Sequence, residues 1–234
     1  MTFRILVADD HPLMRAALRQ AVSDSLPGAT TIQASRFSEV ETALHDIPDV
    51  DAVLLDLHMP GMNGLIGLVL LRSEFPALPV IVVSAMEDAA TVQRCMQYGA
   101  SGFVPKSAPV NRLGEAIQAV IDGAIWVPPV DAAEGSTDDR DVAARVAGLT
   151  PQQLRVLAGI AEGKLNKQIA YEMGVVETTV KAHVTVILRR LGVVSRTQAA
   201  IVAARLALSS PTDPAPDADP VATDAGRDLS RAAV

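Results

Sequence analysis

A short apolar run that ends on a carboxylate constrains the fold more than any other feature of this sequence. Residues 52–55 read Ala-Val-Leu-Leu, the pattern of a strand that is buried on both faces of a parallel sheet. Asp56 follows at once, and Pro60, Gly61 and Gly64 indicate a tight turn. Because open α/β sheets bind ligands beyond the carboxyl ends of their strands, Asp56 is predicted to lie at such a site. Taken alone, a carboxylate in this position is more often a helix cap or a turn former.

Strand and helix patterns alternate five times in the first half of the chain. This alternation predicts a doubly wound parallel sheet, an α/β fold of the (βα)5 type, over residues 1–122. The predicted strands are residues 4–8, 30–34, 52–55, 79–84 and 102–104. In the first helix the predicted inward stripe consists of Leu13, Ala16, Ala17, Ala21 and Val22. Ser38 is the predicted cap of the second helix.

Five polar side chains follow the predicted strands at their carboxyl ends, which all meet at one edge of the sheet. They are Asp9 and Asp10 after the first strand, Asp56 after the third, Ser84 after the fourth and Lys106 after the fifth. Three carboxylates in one cleft raise one another's pKa unless a cation neutralises them, and Mg²⁺ prefers oxygen ligands. The ammonium group of Lys106 and the hydroxyl group of Ser84 could both bind the oxygens of a phosphoryl group. Together these residues predict an aspartyl-phosphate site in which Asp56 is the nucleophile.

Charge divides the 234 residues into unlike parts, and the length suits two domains better than one. Residues 1–122 carry 8 basic and 14 acidic side chains, a net charge of −6. Residues 149–208 carry 8 basic and 3 acidic side chains, a net charge of +5. Only the second part is therefore predicted to contact nucleic acid.

The compartment is predicted from what the sequence lacks. Its single cysteine, Cys95, excludes an intrachain disulfide framework and fits a reducing cytosol. No apolar run approaches the roughly 18 residues of a membrane span, and the first residues do not form a signal peptide. The prediction is a cytoplasmic protein with no membrane partner.

Two segments differ in composition from the predicted domains. Residues 123–148 are predicted to be a linker, polar and mobile in its middle, with a short helix over residues 138–146. Residues 209–234 are rich in Pro, Ala and Asp, and are predicted to be a disordered tail.

Residues 149–208 are predicted to form four helices. Thr150 and Ser195 are the predicted caps of the first and the last. Two short helices around Gly174, the second of them basic, form a pattern typical of a helix-turn-helix. Its outward side chains are Lys181, Ala182, Thr185 and Arg189. A generic helical bundle explains the pattern and the charge about equally well.

The strand-end motifs resemble the receiver domain of bacterial two-component response regulators over about the first 122 residues. The matching residues are Asp9-Asp10, Asp56 with Met59-Pro60-Gly61 and Gly64, Ser84-Ala85, and Lys106. The resemblance implies that a sensor histidine kinase or a phosphotransfer protein phosphorylates Asp56.

The same resemblance implies further roles at this site. Asp10, Asp56 and the main-chain carbonyl of His58 would hold Mg²⁺, with Asp9 acting mostly through water. Ser84 and Phe103 would move inward together on phosphorylation. A plain core role for Phe103 is about equally well supported.

The C-terminal helices resemble the LuxR-type DNA-binding domain, and with a receiver in front of them the chain resembles the NarL/FixJ class of response regulators. The matching stretches are residues 149–151, 166–170, 179–184 and 187–199. The resemblance implies that the chain is not an enzyme in the usual sense, that it regulates transcription at promoter DNA, and that phosphorylation makes it a homodimer. The implied DNA-binding residues are Lys167, Thr179, Lys181, Ala182, Thr185 and Arg189.

Two other functions and one mode of regulation follow from the same residues. A phosphatase or phosphotransferase would use Asp56 as its nucleophile and His58 as the acid or base two residues on. An atypical regulator would bind DNA without phosphorylation. The opposite net charges also lead us to expect that the unphosphorylated receiver covers the basic helix around Lys181 and Arg189.

Overall fold

The computed structural model describes residues 2–47, 49–129 and 137–207, and their side chains except those of residues 137–139. The predicted disordered tail over residues 209–234 and most of the predicted mobile part of the linker lie outside the described residues. Within the described ranges, no helix combines the length and the apolar character that crossing a membrane requires.

Five strands and five helices alternate in the first half of the chain. The strands are β1 (Arg4–Ala8), β2 (Thr30–Ala34), β3 (Ala52–Leu55), β4 (Val80–Ser84) and β5 (Gly102–Pro105). The helices are α1 (Pro12–Ser25), α2 (Phe37–Asp46), α3 (Leu65–Glu74), α4 (Ala89–Gln97) and α5 (Val110–Ile121). All strand pairs are parallel, in the order β2-β1-β3-β4-β5. The predicted doubly wound fold is confirmed, and its switch point lies between β1 and β3.

Helix α1 packs through a different face from the one predicted. Leu18 and Val22 are buried, whereas Leu13, Ala16 and Ala17 are exposed, Leu13 to 88%. Only the last two residues of the predicted stripe are therefore inward. An alanine-rich helix offers more than one apolar stripe, and the packing of α1 against α5 and the sheet selects the stripe that contains Leu18.

Helix α2 begins before its predicted cap. Arg36 is the N-cap residue, and its side chain makes no capping hydrogen bond. Ser38 lies within the first turn, where its backbone carbonyl accepts a hydrogen bond from Thr42 Oγ1 at 2.8 Å. The Glu39 carboxylate instead reaches back to the backbone N–H of Ser35 at 2.7 Å. The predicted cap at Ser38 is wrong because an acidic residue in the first turn satisfies the backbone there.

Five further helices complete the described chain. They are α6 (Thr137–Ala147), α7 (Pro151–Ala161), α8 (Asn166–Glu172), α9 (Glu177–Leu191) and α10 (Arg196–Leu206). Helices α8 and α9 form the predicted helix-turn-helix. Thr150 caps α7 in a capping box with Gln153, and the Ser195 hydroxyl accepts the Gln198 N–H at 3.2 Å. Both predicted caps are confirmed.

A continuous apolar core joins the receiver to the C-terminal helices. It includes Leu68 of α3, Leu157 of α7 and Leu206 of α10. Helix α6, which falls in the predicted linker, buries Ala143 and Val146 in the same core and contacts α3, α4 and α9. A second core lies on the other face of the sheet, between α1 and α5. The two halves of the described chain are therefore packed against each other.

Candidate functional site

The carboxyl ends of β1, β3 and β5 bring three charged side chains into direct contact. Lys106 places its Nζ 2.7 Å from Asp9 Oδ2 and 2.9 Å from Asp56 Oδ2. Asp9 and Asp56 are only 0% and 1% exposed. Charge interactions in such a shielded place are stronger than at the surface. The structure thus gathers one lysine and two carboxylates at the edge of the sheet where the sequence predicts them.

The hydrogen bonds of Asp56 determine its charge. Burial by itself raises the pKa of this carboxyl, but hydrogen bonds from His58 and Lys106 outweigh burial and lower the pKa below its usual value. One of them is donated by the backbone N–H of His58 to Asp56 Oδ1, at 3.2 Å. For Lys106, burial lowers the pKa, but hydrogen bonds to Asp9 and Asp56 raise it overall. At neutral pH Asp56 is therefore an ionised carboxylate, as a nucleophile requires.

A third carboxylate, Asp10, lies at the rim of this cluster. Asp9, Asp10, His11 and Asp56 each offer one ligand atom within 4.8 Å of the others. Three carboxylates against a single lysine leave an excess of negative charge, and carboxylate oxygens are the ligands that hard divalent cations prefer. This donor set fits Mg²⁺, the ion that receiver domains bind.

His11 belongs to the cluster but was not predicted. Its Nδ1 lies 2.6 Å from Asp10 Oδ1, and its backbone N–H donates to Asp9 Oδ1 at 2.8 Å. The one signal in the sequence is its position directly after Asp10. The main-chain carbonyl of His58 as a metal ligand stays a prediction.

Ser84, at the end of β4, and Phe103, within β5, are fully buried. The Ser84 hydroxyl accepts the backbone N–H of Met86 at 3.1 Å, and the Ser84 carbonyl accepts the backbone N–H of Lys106 at 2.7 Å. Phe103 lies opposite Val82 in the pairing of β4 with β5. The structure thus connects Ser84 to Lys106 through the backbone and places Phe103 in the core. A movement of the two residues stays a prediction.

The outer face of α9 is open in this structure. Four of the predicted DNA-binding residues on it, Lys181, Ala182, Thr185 and Arg189, are exposed, whereas Thr179 is partly buried. Lys181 pairs with Glu177 one turn earlier at 2.9 Å, and on α8 Lys167 is exposed. The expectation that the receiver covers the region around Lys181 and Arg189 is wrong, because the receiver packs against other helices.

The docking interface, in which α2 and α3 of the receiver meet α7 and α10, was not predicted. Arg155 of α7 lies between Glu41 of α2 and Glu74 of α3, with N–O distances of 2.9 and 2.7 Å. Burial lowers the pKa of Arg155, but its hydrogen bonds and charge contacts with the two carboxylates raise it overall. No local pattern in the sequence connects residues so far apart along the chain.

Comparisons with known proteins agree with both halves of the chain. The model of the response regulator receiver domain matches residues 5–118, and that of the bacterial regulatory proteins of the luxR family matches residues 147–203. A glycerol metabolism activator of Pseudomonas putida is 40% identical over 209 residues, covering 86% of this chain and 95% of that protein. The nitrate/nitrite response regulator NarL of Escherichia coli is 34% identical over 205 residues, covering 84% and 93%.

A solved structure is also similar to part of the chain. It is a two-component response regulator of the LuxR family from an Aurantimonas species, with 28% identity and a TM-score of 0.51. The match covers 55% of this chain and 91% of that one. The receiver fold, the helix-turn-helix and relatives that match along nearly their whole length lead to one conclusion. The chain belongs to the NarL/FixJ class of two-component response regulators and is a transcription regulator that acts on DNA through a LuxR-type domain.

Proposed function

We propose that a sensor histidine kinase or a phosphotransfer protein phosphorylates Asp56, and that the phosphorylated chain binds promoter DNA as a homodimer in the cytoplasm. The observation that carries this proposal is the ionised Asp56, held by Lys106 among carboxylates that fit a divalent cation. In the same chain, the exposed outer face of α9 is available to bind DNA.

In the transfer step an oxygen of Asp56 attacks the phosphorus atom of the donor. The bond from phosphorus to the donor's imidazole nitrogen breaks, and a carboxyl phosphate forms on Asp56. Lys106 offsets the negative charge on the transferred group, and the Ser84 hydroxyl donates a hydrogen bond to one of its oxygens. The receiver's own residues thus accept the phosphoryl group and later allow its slow hydrolysis.

A divalent cation completes this site in our proposal. Mg²⁺ would be held by Asp10, Asp56 and the main-chain carbonyl of His58, with Asp9 acting through water. When bound, it neutralises charge on the phosphoryl oxygens. The buried carboxylates and their excess negative charge support this assignment.

On the DNA side, α9 would enter the major groove. The long basic side chains would contact the DNA phosphates, and the small side chains beside them would contact the edges of the bases. The residues in these roles are Lys167, Thr179, Lys181, Ala182, Thr185 and Arg189. We divide the chain into a receiver (1–122), a linker (123–148), a DNA-binding domain (149–208) and a tail (209–234).

Intact-mass measurement tests the acceptor. We expect the chain to gain one phosphoryl group from acetyl phosphate with Mg²⁺, and the Asp56→Asn variant to gain none, because an amide cannot form the carboxyl phosphate. Asp10→Asn is the matched control at the rim, which keeps the acceptor and is expected to lose only rate. Equal uptake by Asp56→Asn and the unchanged chain would refute the assignment.

A further inference from the structure

We infer that the cavity between the two halves of the chain is a binding site for a small organic cation, a molecule with an apolar body and one ammonium group. This interdomain cavity has a volume of about 610 Å³. Residues of α2, α3 and the loop before α3 line it from the receiver, and residues of α7 and α8 line it from the other half. Among the described residues, neither the acceptor cluster around Asp56 nor any residue of α9 lines the cavity. The site is therefore separate from phosphoryl transfer and from DNA binding, and it goes beyond the proposed function.

The walls of the interdomain cavity are mostly apolar. Phe37, Met62 and Ile66 line it from the receiver, and Ile169 and Met173 line it from the DNA-binding domain. Pockets that bind small organic molecules typically have volumes of roughly 300–1,000 Å³, apolar walls and a few polar groups, and they occur preferentially where domains meet. The interdomain cavity has all of these properties, so its walls can bury the apolar body of a ligand.

A glycine inside α7 helps to keep the cavity open. Gly159 lines the cavity in the interior of this helix, where glycine is less stable than alanine. A Cβ at this position would lie 2.7 Å from Cγ1 of Ile169, another residue of the wall. A larger residue at position 159 would therefore displace Ile169 and change the shape of the cavity.

Carboxylates dominate the polar part of the lining. Glu41, Glu162 and Glu172 line the cavity with one cation, Arg155, so three negative charges face one positive charge and the net charge is −2. Arg155 already contacts two carboxylates, Glu41 at 2.9 Å and Glu74 at 2.7 Å. An anionic ligand would have to compete with these contacts. A cationic ligand is instead attracted by the excess of negative charge in the cleft.

The carboxylates also have room for a further hydrogen-bond donor. Glu172 Oε2 accepts from Lys164 Nζ at 2.7 Å, and Glu41 Oε1 lies 2.9 Å from Arg155. An ionised carboxylate has about four acceptor positions, and an ammonium group has three donors and no acceptor. Lys164 and Glu74, which contact the lining from outside, carry opposite charges and leave the net charge at −2. The rim of the cavity can therefore bind an ammonium group while the walls bury the rest of the molecule.

Three probes with the same apolar body and different head groups test this assignment on the full chain. They are 4-phenylbutylamine, 4-phenylbutanol and 4-phenylbutyrate, whose heads are cationic, neutral and anionic at neutral pH. Methionine labelled with carbon-13 in its methyl group reports the place of binding by NMR, because Met62 and Met173 line the cavity from opposite halves. Met14 of α1 and Met96 of α4 do not line it and serve as references. Met→Leu variants assign the signals.

The expected result is a joint response of both halves of the chain to the amine. We expect 4-phenylbutylamine to shift the Met62 and Met173 signals along one saturating curve and to leave those of Met14 and Met96 in place. The alcohol should bind at least about threefold more weakly and the carboxylate at least about tenfold more weakly, because the net negative lining attracts only the cationic head.

Two variants separate the charge of the cavity from its volume. Glu172→Gln removes one carboxylate at nearly constant size and should weaken binding of the amine about threefold while leaving the alcohol unchanged. Glu177→Gln, on α9 outside the lining, is its control. Ala158→Phe places a ring in the cavity and should abolish binding of the amine and the alcohol, with Ala204→Phe on the exposed face of α10 as its control. Circular dichroism checks folding, and the Glu172→Gln comparison decides alone where Ala158→Phe is unfolded.

Three outcomes would overturn the inference. The first is the absence of a saturating shift of Met62 and Met173 with 4-phenylbutylamine up to about 10 mM. The second is binding of 4-phenylbutyrate at least as tight as that of the amine. The third is unchanged affinity for the amine in the folded Glu172→Gln variant, which would show that the charge of the cavity does not select its ligand.

Discussion

At the scale of single residues, Lys106 is the side chain on which the buried carboxylates depend. Its Nζ contacts Asp9 and Asp56, neither of which has appreciable access to water. Lys106→Met leaves both acids without their cation. We expect the free energy of unfolding at neutral pH, without divalent ions, to fall by about 1–3 kcal/mol in urea denaturation.

The pH dependence of this loss has a definite sign. The pKa of Asp56 is lowered in the fold, so its contribution is present above about pH 4 and is lost as the pH falls through the lowered pKa. The pKa of Lys106 is raised, so its contribution is full below about pH 10.4 and is lost as the pH rises through the raised pKa. The difference between Lys106→Met and the unchanged chain should be largest between these limits. Lys167→Met, on an exposed part of α8, is the control, and equal losses in both variants would contradict the role of Lys106.

Cys95 gives a second test at this scale. Burial raises the pKa of its thiol to about 12, so almost no reactive thiolate exists at pH 8. Iodoacetamide at pH 8 should therefore label the native chain slowly and the urea-unfolded chain quickly, as measured by intact mass. Rapid labelling of the native chain would show that Cys95 is accessible.

At the scale of elements, two serines that look alike in the sequence differ in the structure. Ser195 caps α10 by accepting the N–H of Gln198, whereas Ser38 lies inside the first turn of α2. Ser195→Ala should lower the free energy of unfolding by about 1 kcal/mol, and Ser38→Ala should change it by less than about 0.5 kcal/mol. Urea denaturation of both variants checks this, and a larger loss for Ser38→Ala would contradict the capping assignments.

Helix α9 supplies a prediction about DNA. Lys181 is exposed and shares its surface with Glu177, its ion-pair partner. If it contacts a phosphate, Lys181→Ala should weaken binding to all duplexes and reduce the salt slope by about one unit; if it reads a guanine, discrimination between sequences should fall. Gel shifts over a series of salt concentrations measure both, with Arg112→Ala on the receiver as the control. Unchanged affinity, slope and discrimination would exclude Lys181 from the contact surface.

The elements were largely predictable because their signals are local. Apolar runs such as residues 52–55 define the strands, and the hydroxyls of Thr150 and Ser195 define helix starts. The convergence of Asp9, Asp56 and Lys106 was predictable because parallel strand ends share an edge. The inward face of α1 was not, since packing against α5 chooses among several apolar stripes.

At the scale of the whole molecule, the arrangement of the two halves depends on contacts that no local sequence pattern predicts. Arg155 meets Glu41 across 114 positions of the chain, and net charge alone suggested a different docking surface. Opposite net charges favour contact in general, but they do not select which surfaces meet. The shape and the apolar packing of α3, α7 and α10 determine which surfaces of the two halves meet.

Regulation of DNA binding by Asp56 is tested most directly by one affinity measurement on the full chain. The duplex carries two half-sites about one helical turn apart and is obtained by selection from random sequences. Its equilibrium affinity is compared with and without acetyl phosphate and Mg²⁺ at fixed salt, with phosphate uptake checked by intact mass. We expect phosphorylation to tighten binding at least about tenfold through pairing of two chains, and Asp56→Asn to show no gain. Equal affinity of the phosphorylated and unphosphorylated chains would contradict control of DNA binding by Asp56.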